Sequence, residues 1–206
     1  MASRKCAVCK APVPVPPTGR RPKYCSDRCR AADYRKRLAA RNVTALTSSE
    51  SNEWYTPALY VEAARRALGG FDLDPASSAE ANAVIQAARY FTEQDDGLAH
   101  DWKGRVWLNP PYGRLAGSFI AKLASEYEAG HTTGAVTLIA SSATSTTWFR
   151  PLWNGTLCFT DHRINFNGVK GNTTGSIFAY LGDDPGAFQA EFEQFGAVVM
   201  RRAQGA

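Results

Sequence analysis

The sequence predicts an α/β protein in which helices cover both faces of one sheet. From residue 54 onward, segments with strand character alternate with segments with helical character, which is typical of a parallel or mixed sheet. Two apolar runs, 105–108 and 135–140, are short and bounded by turn residues, as expected of buried strands. A cysteine-containing segment precedes this region and predicts a separate metal-binding module.

The predicted elements follow one another at short intervals. Pro57 suits the first turn of a helix that Gly69 and Gly70 end, and Pro75 stops the first strand. Helices are predicted over 57–68, 78–88, 115–129, 146–152 and 188–195, and strands over 71–74, 89–91, 105–108, 135–140, 156–159, 176–181 and 197–200.

The basic residues are concentrated in the first quarter of the chain. The formal net charge of the 206 residues is +5, but residues 1–46 hold twelve Lys and Arg against two acidic residues, which leaves twelve basic and seventeen acidic residues elsewhere. Such asymmetry indicates a segment that binds a polyanion, most commonly nucleic acid. A basic tail that only aids solubility is the alternative interpretation.

Composition also bears on where the protein works. No stretch approaches the roughly 20 apolar residues of a membrane span, and the first ten residues lack the apolar run of a signal peptide. We therefore expect a cytoplasmic protein. Thiols stay reduced there, and clustered cysteines more often bind metal than form disulfides.

Four cysteines form two closely spaced pairs joined by a proline-rich stretch. Cys6 and Cys9 are separated by two residues, and Cys25 and Cys29 by three. This spacing resembles a zinc ribbon, so we expect all-sulfur ligation of one structural zinc ion by these four residues. Disulfides and unpaired thiols are the alternatives, and Cys158, in an apolar segment, is predicted to be a core thiol. A helix is predicted over 28–41.

The motif Asn109-Pro110-Pro111-Tyr112 directly follows the apolar run 105–108. Its prolines predict a stiff turn at the carboxyl end of a strand, where open α/β sheets bind ligands. The Asn109 side-chain oxygen and a proline carbonyl offer two acceptors. Acceptors that bind both hydrogens of a nucleobase amino group localise the nitrogen lone pair and make the amine a better nucleophile. Tyr112 offers an aromatic face for a base that has left the duplex.

These four residues resemble the catalytic motif of amino-group methyltransferases, with Asn first as in the adenine-specific version. Release-factor glutamine methyltransferases share the tetrapeptide, but the wider pattern closely resembles the phage-type DNA N-6-adenine-methyltransferase (Dam) family over about residues 52–181. The motifs that carry the resemblance are Asn52-Glu53-Trp54-Tyr55-Thr56-Pro57, Phe71-Asp72-Leu73-Asp74-Pro75-Ala76, Asp96-Gly97-Leu98, Trp102 and Trp107-Leu108-Asn109-Pro110-Pro111-Tyr112.

The resemblance implies a Rossmann-like class I S-adenosylmethionine-dependent methyltransferase sheet with S-adenosylmethionine as the methyl donor. Asp74-Pro75 would face the methionine end of this cofactor, although the Gly-x-Gly turn common at this position is replaced by PASS. Glu93, nineteen residues further on, is the candidate for the ribose, with Asp95 or Asp96 as alternatives. The segment Trp54, Thr56 and Pro57 resembles the family's additional cofactor-facing motif.

Together these features predict a zinc-ribbon-like basic module over 1–41, a linker over 42–52 and a methyltransferase domain over 53–206. The predicted function is site-specific methylation of the adenine N6 amino group in double-stranded DNA, in a phage or restriction-modification setting. A protein glutamine N5-methyltransferase and a non-catalytic zinc-ribbon nucleic-acid-binding protein are the alternatives. Arg163 and Lys170, in the long connection before the segment 176–181, are candidates for phosphate contacts.

Overall fold

A computed structural model describes residues 5–13, 22–26, 28–33, 55–166 and 174–200. The chain divides into two compact units, residues 1–52 and 53–206. Within the part of the chain that is described, no helix is long and apolar enough to cross a membrane.

The smaller unit is built around its cysteines. The Cys6 amide donates to the Ala11 carbonyl at 2.8 Å, and Lys5 forms an antiparallel bridge with Pro12, so residues 5–12 turn back on themselves. Residues 28–33 are helical, as predicted. The remainder of the predicted helix to residue 41, and the predicted linker over 42–52, lie outside the described residues.

The larger unit contains one seven-stranded sheet in the order β2-β1-β3-β4-β6-β5-β7. The first four strands are parallel, whereas β6 runs antiparallel between β4 and β5, and β7 runs antiparallel to β5. β5 therefore ends at the same edge as β1 to β4, which we call the carboxyl edge. The strands are β1 (Leu73–Asp74), β2 (Arg89–Tyr90), β3 (Gly104–Leu108), β4 (Thr132–Ala140), β5 (Thr156–Thr160), β6 (Ser176–Leu181) and β7 (Gly196–Met200).

Two hydrophobic clusters cover the two faces of this sheet. One cluster includes residues of helix α1 (Ala58–Leu68) with Trp107 and Phe178, and we call it the α1 cluster. The other includes residues of helix α3 (Ala116–Glu128) with Val106 and Ile139, and we call it the α3 cluster. Side chains of consecutive strand residues point to opposite faces, which places Trp107 and Val106 in different clusters. The predicted α/β fold with a mixed sheet is therefore confirmed. The helices are α1 (Ala58–Leu68), α2 (Ala79–Ile85), α3 (Ala116–Glu128) and α4 (Pro185–Phe192), with 3₁₀ turns at Gly97–Ala99, Ser141–Ser145, Thr147–Asn154 and Glu193–Phe195.

Several elements differ from the predicted bounds: α2 ends at Ile85 rather than residue 88, and β4 begins at Thr132 rather than residue 135. Two further differences have clear local reasons. The helix predicted over 146–152 is a 3₁₀ helix spanning Thr147–Asn154, and Pro151 inside it cannot donate a backbone hydrogen bond. Helix α4 begins at Pro185, three residues before the predicted start. Asp184 caps it by accepting a hydrogen bond from the Ala187 amide at 2.9 Å.

Candidate active site and cysteine cluster

The carboxyl ends of two neighbouring strands carry the residues singled out in the sequence. Leu73 of β1 pairs with Val106 of β3 in parallel register, so Asp74 and Asn109 emerge at the same edge of the sheet. The Asn109 side-chain amide donates to the Thr56 hydroxyl at 3.4 Å, and Thr56 is almost completely buried. Segments far apart in sequence therefore lie together at this edge of the sheet.

Asp74 is a buried carboxyl group whose hydrogen bonding is incomplete. Only 1% of the residue is exposed. Its Oδ1 accepts from the Ala76 amide at 3.1 Å, whereas Oδ2 is buried and accepts no hydrogen bond within the described part of the chain. Burial raises the pKa of Asp74 to about 7, an effect only partly opposed by the Ala76 amide and the Ser77 hydroxyl. A cationic donor at Oδ2 is the ligand that would both satisfy this oxygen and favour the charged form.

The Asp96-Gly97-Leu98 turn packs directly beneath the strand end at Pro75. A Cβ at Gly97 would collide with the Pro75 carbonyl, so the close approach requires glycine here. The fully buried Trp102 donates its indole N–H to the Gly97 carbonyl at 2.8 Å. Gly97 and Trp102 entered the sequence analysis only as parts of the family resemblance. In the structure they pack against the end of β1, which carries Asp74.

The three acidic candidates for the cofactor ribose differ in their surroundings. Asp95 accepts from the amide and the hydroxyl of Thr92, at 2.9 and 2.7 Å. Asp96 has a left-handed backbone (φ 50°) and accepts from the Leu98 amide at 3.2 Å. Both of these carboxylates therefore stabilise a local turn, whereas Glu93 is exposed just after β2. This arrangement favours Glu93 among the three.

The residues after β3 form the outer part of the site. Pro110 is buried, Pro111 is exposed and Tyr112 exposes 44% of its surface. The Asn109 Oδ1 atom is shielded from solvent. Pro57 lies between Thr56 and the first residue of α1. Trp54, the third residue of the predicted cofactor segment, lies outside the described residues.

The four N-terminal cysteines bring their sulfur atoms together. All four Sγ atoms lie within 4.8 Å of one another, with Cys9 to Cys25 at 3.4 Å and Cys25 to Cys29 at 3.6 Å. These separations exceed the roughly 2.05 Å of a disulfide and are close to the sulfur spacing of about 3.8 Å implied by tetrahedral Zn–S bonds of about 2.3 Å. Backbone hydrogen bonds, the one from Cys9 foremost, lower the pKa of Cys6 to about 6, whereas thiol hydrogen bonds with Cys9 and Cys29 raise the pKa of Cys25 to about 12, so the sulfur positions rather than these shifts indicate a metal site. The group could therefore hold a zinc ion.

Cys158 belongs to the larger unit. It is buried in β5, and its thiol donates to the Phe192 carbonyl at 3.4 Å. Burial raises the pKa of Cys158 to about 12, so the group is a neutral core thiol, as predicted.

A comparison with known protein families finds a match that covers most of the larger unit. The family model for DNA N-6-adenine-methyltransferase (Dam) matches residues 43–179. This range contains Thr56, Asp74 and Asn109 and ends within β6, whereas the four clustered cysteines precede it. No curated protein matches the chain.

Proposed function

The chain belongs to the DNA N-6-adenine-methyltransferase (Dam) family, and on that premise we propose that it transfers a methyl group from S-adenosylmethionine to the N6 amino group of adenine in double-stranded DNA, at a specific sequence. The observation that carries the proposal is the emergence of Asp74 and Asn109 at the carboxyl ends of adjacent parallel strands. Asp74 suits a cationic ligand such as the cofactor, and Asn109 suits the amino group of the base. Methyl transfer needs both the cofactor and the base.

The surroundings of Asp74 fit the proposed cofactor. S-adenosylmethionine, when bound, supplies an electrophilic methyl group, and its amino-acid end carries an ammonium group. That ammonium would give the buried Oδ2 of Asp74 the donor that the described residues do not provide. We assign the cofactor to Asp74 and Pro75, with Thr56 and Pro57 beside them, Glu93 for the ribose and Trp54 in the segment just before.

The Asn-Pro-Pro-Tyr turn is assigned to the acceptor base. The Asn109 amide nitrogen donates to the Thr56 hydroxyl, which orients the side chain, and we assign the amide oxygen as the acceptor for the substrate amine. A second acceptor is the Pro110 carbonyl, and Pro111 fixes the turn. Binding both amine hydrogens draws the nitrogen toward tetrahedral geometry, and preorganised groups of this type typically contribute about 3 kcal/mol each. The exposed Tyr112 ring stacks on the flipped adenine.

The N-terminal module is assigned to DNA affinity. One zinc ion bound by Cys6, Cys9, Cys25 and Cys29 would stabilise a segment too small to fold on a hydrophobic core alone. Twelve basic residues within 1–46 would then contact phosphates without reading sequence. The Dam match favours DNA over a protein glutamine as the substrate, and the convergence of Asp74 and Asn109 favours an active enzyme over a non-catalytic binding protein.

The direct test is to identify the methylated nucleoside. Unmodified double-stranded DNA is incubated with the full chain and S-adenosylmethionine, then digested and analysed by mass spectrometry. We expect N6-methyladenine. N4-methylcytosine would assign the other amino-group specificity, and methylated glutamine in a protein substrate without methylated DNA would contradict the proposal.

A further inference from the structure

Residues 161–166 follow β5 at the carboxyl edge, and we call them the anchored segment. Ile164 and Phe166 are 0% and 1% exposed and belong to the α1 cluster. The remaining four side chains are exposed: Asp161, His162, Arg163 and Asn165. The segment is therefore fixed to the core by Ile164 and Phe166. Its exposed polar side chains lie at residues 161–163, before these two positions, and at Asn165, between them.

A buried tyrosine adds a third attachment. The Tyr60 hydroxyl lies 2.6 Å from His162 Nε2, and His162 Nδ1 lies 2.6 Å from Asp161 Oδ1. Burial and the Asp161 charge raise the pKa of Tyr60, so its hydroxyl keeps its proton and can donate to Nε2. The His162 tautomer with its proton on Nδ1 then satisfies both bonds. The Tyr60 and His162 rings also stack, with centroids 6.1 Å apart.

This attachment leads directly to the proposed active site. Tyr60 lies in the first turn of α1, and its amide donates to the Pro57 carbonyl at 3.1 Å. Pro57 adjoins Thr56, whose hydroxyl accepts from Asn109. A short series of contacts therefore connects Asn109, through the start of α1, to His162.

We propose that the anchored segment reads DNA bases near the target adenine, with Arg163 and Asn165 touching the substrate and Tyr60 and His162 acting as positioning residues. The proposal rests on the proposed function. Arginine pairs with guanine and asparagine with adenine through two hydrogen bonds each, and such readout requires a rigid support. The anchors at Ile164 and Phe166 provide that support.

The substitutions Arg163→Ala and Asn165→Ala test the contacts. The readout is the set of adenines methylated in a randomised duplex library, with S-adenosylmethionine affinity measured in parallel. We expect preference for the cognate site over single mismatches to fall about 10-fold or more for each variant, the usual weight of one such pair. Cofactor affinity stays unchanged, because the proposed cofactor residues lie at β1 and the start of α1.

Tyr60→Phe tests the positioning role, since it keeps the ring and removes the hydroxyl. We expect it to lower site preference and raise KM for DNA more than it lowers kcat. His162→Gln keeps a polar group near the Nε2 position and should retain more preference than His162→Ala. Tyr180→Phe is the matched control: Tyr180 is 4% exposed, its hydroxyl accepts from the Asp184 amide at 3.1 Å, and it lies toward the opposite edge of the sheet.

The outcomes separate this proposal from the proposed function. If the wild-type chain forms no N6-methyladenine, the proposed function fails. If the wild type methylates DNA and both Arg163→Ala and Asn165→Ala keep the same site preference, only the reading role of the anchored segment is overturned. A uniform loss of affinity for all sequences, with a reduced salt dependence, would assign the two residues to phosphates and also overturn it.

Discussion

The Asn109 side-chain amide donates to the Thr56 hydroxyl at 3.4 Å across 53 residues of sequence. This contact joins the turn after β3 to the residue that precedes Pro57 and α1. It also orients the Asn109 amide plane. The proposed acceptor oxygen is thus oriented before DNA binds, and preorganisation of that kind is what electrostatic catalysis requires.

Asn109→Ala should reduce kcat for DNA methylation by about 100-fold or more, because it removes an interaction made chiefly in the transition state. S-adenosylmethionine affinity should survive, as measured by calorimetry. Asn109→Asp retains an acceptor oxygen and should keep measurable activity. Methylation by Asn109→Ala at the wild-type rate would show that the amide plays no part in the reaction.

Asp74→Asn should weaken S-adenosylmethionine binding about 10-fold or more, because it removes the charge that faces the cofactor ammonium. The same change should raise the melting temperature of the cofactor-free protein at pH 8. The folded pKa of Asp74 is raised to about 7, so burial of the ionised group opposes folding progressively from pH 4 to 7 and fully above pH 7. Asn carries no such charge.

Asp72→Asn is the matched control for this pair of effects. Asp72 accepts from the Arg105 side chain at 2.9 Å, which holds its pKa below the usual value, so its charge favours folding above about pH 4. Its replacement should lower the melting temperature at pH 8 and leave cofactor affinity unchanged. Equal shifts in the two variants would contradict the distinct surroundings of these carboxylates.

Gly97→Ala should destabilise the larger unit by about 2 kcal/mol or more and weaken cofactor binding, because the new methyl group meets the Pro75 carbonyl. Gly186→Ala, in helix α4, is the control. A Cβ there meets only the Asp184 carboxylate at 3.4 Å, so stability should stay level or rise by up to about 1 kcal/mol. Chemical denaturation measures both, and an unaffected Gly97→Ala would mean that the turn relaxes away from Pro75.

Purified protein should contain one zinc ion per chain by metal analysis. Cys25→Ser should lose it, because three thiolates bind zinc more weakly than four, whereas Cys158→Ser should retain it. A wild-type protein that contains no metal and whose cysteines all react rapidly with a thiol reagent would contradict zinc binding by this cluster.

Deletion of residues 1–46 should weaken DNA binding and flatten its dependence on salt, since fewer phosphates are neutralised. The set of methylated sequences should remain the same. Binding measured between about 50 and 200 mM salt provides the slope, and an unchanged slope would assign the basic segment to a partner other than DNA.

Local patterns predicted most of the fold and singled out the residues of the proposed site. β6 was predicted with its observed bounds because apolar residues flanked by turn residues are unambiguous, and the turn after β3 is evident from its two prolines. Contacts that depend on the folded chain could not be predicted. The bond between Tyr60 and His162 spans 102 residues, and nothing near Asp74 in sequence indicates that one of its oxygens is buried without a donor.

The sheet is uneven in a way that affects how the protein opens. β1 and β2 pair over only two residues, and β1 meets β3 at a single registered pair, whereas β4 and β6 pair over six. The Arg89 and Phe91 amides donate to the Asp72 and Asp74 carbonyls at 3.1 and 3.0 Å, so β1 and β2 are bonded but over a short length, and amide hydrogen exchange should be faster there than in the longer ladder of β4 and β6. A cofactor bound at the end of β1 would slow amide hydrogen exchange most in β1 and β2. The exchange rate of these two strands would therefore measure how much of the protein has cofactor bound.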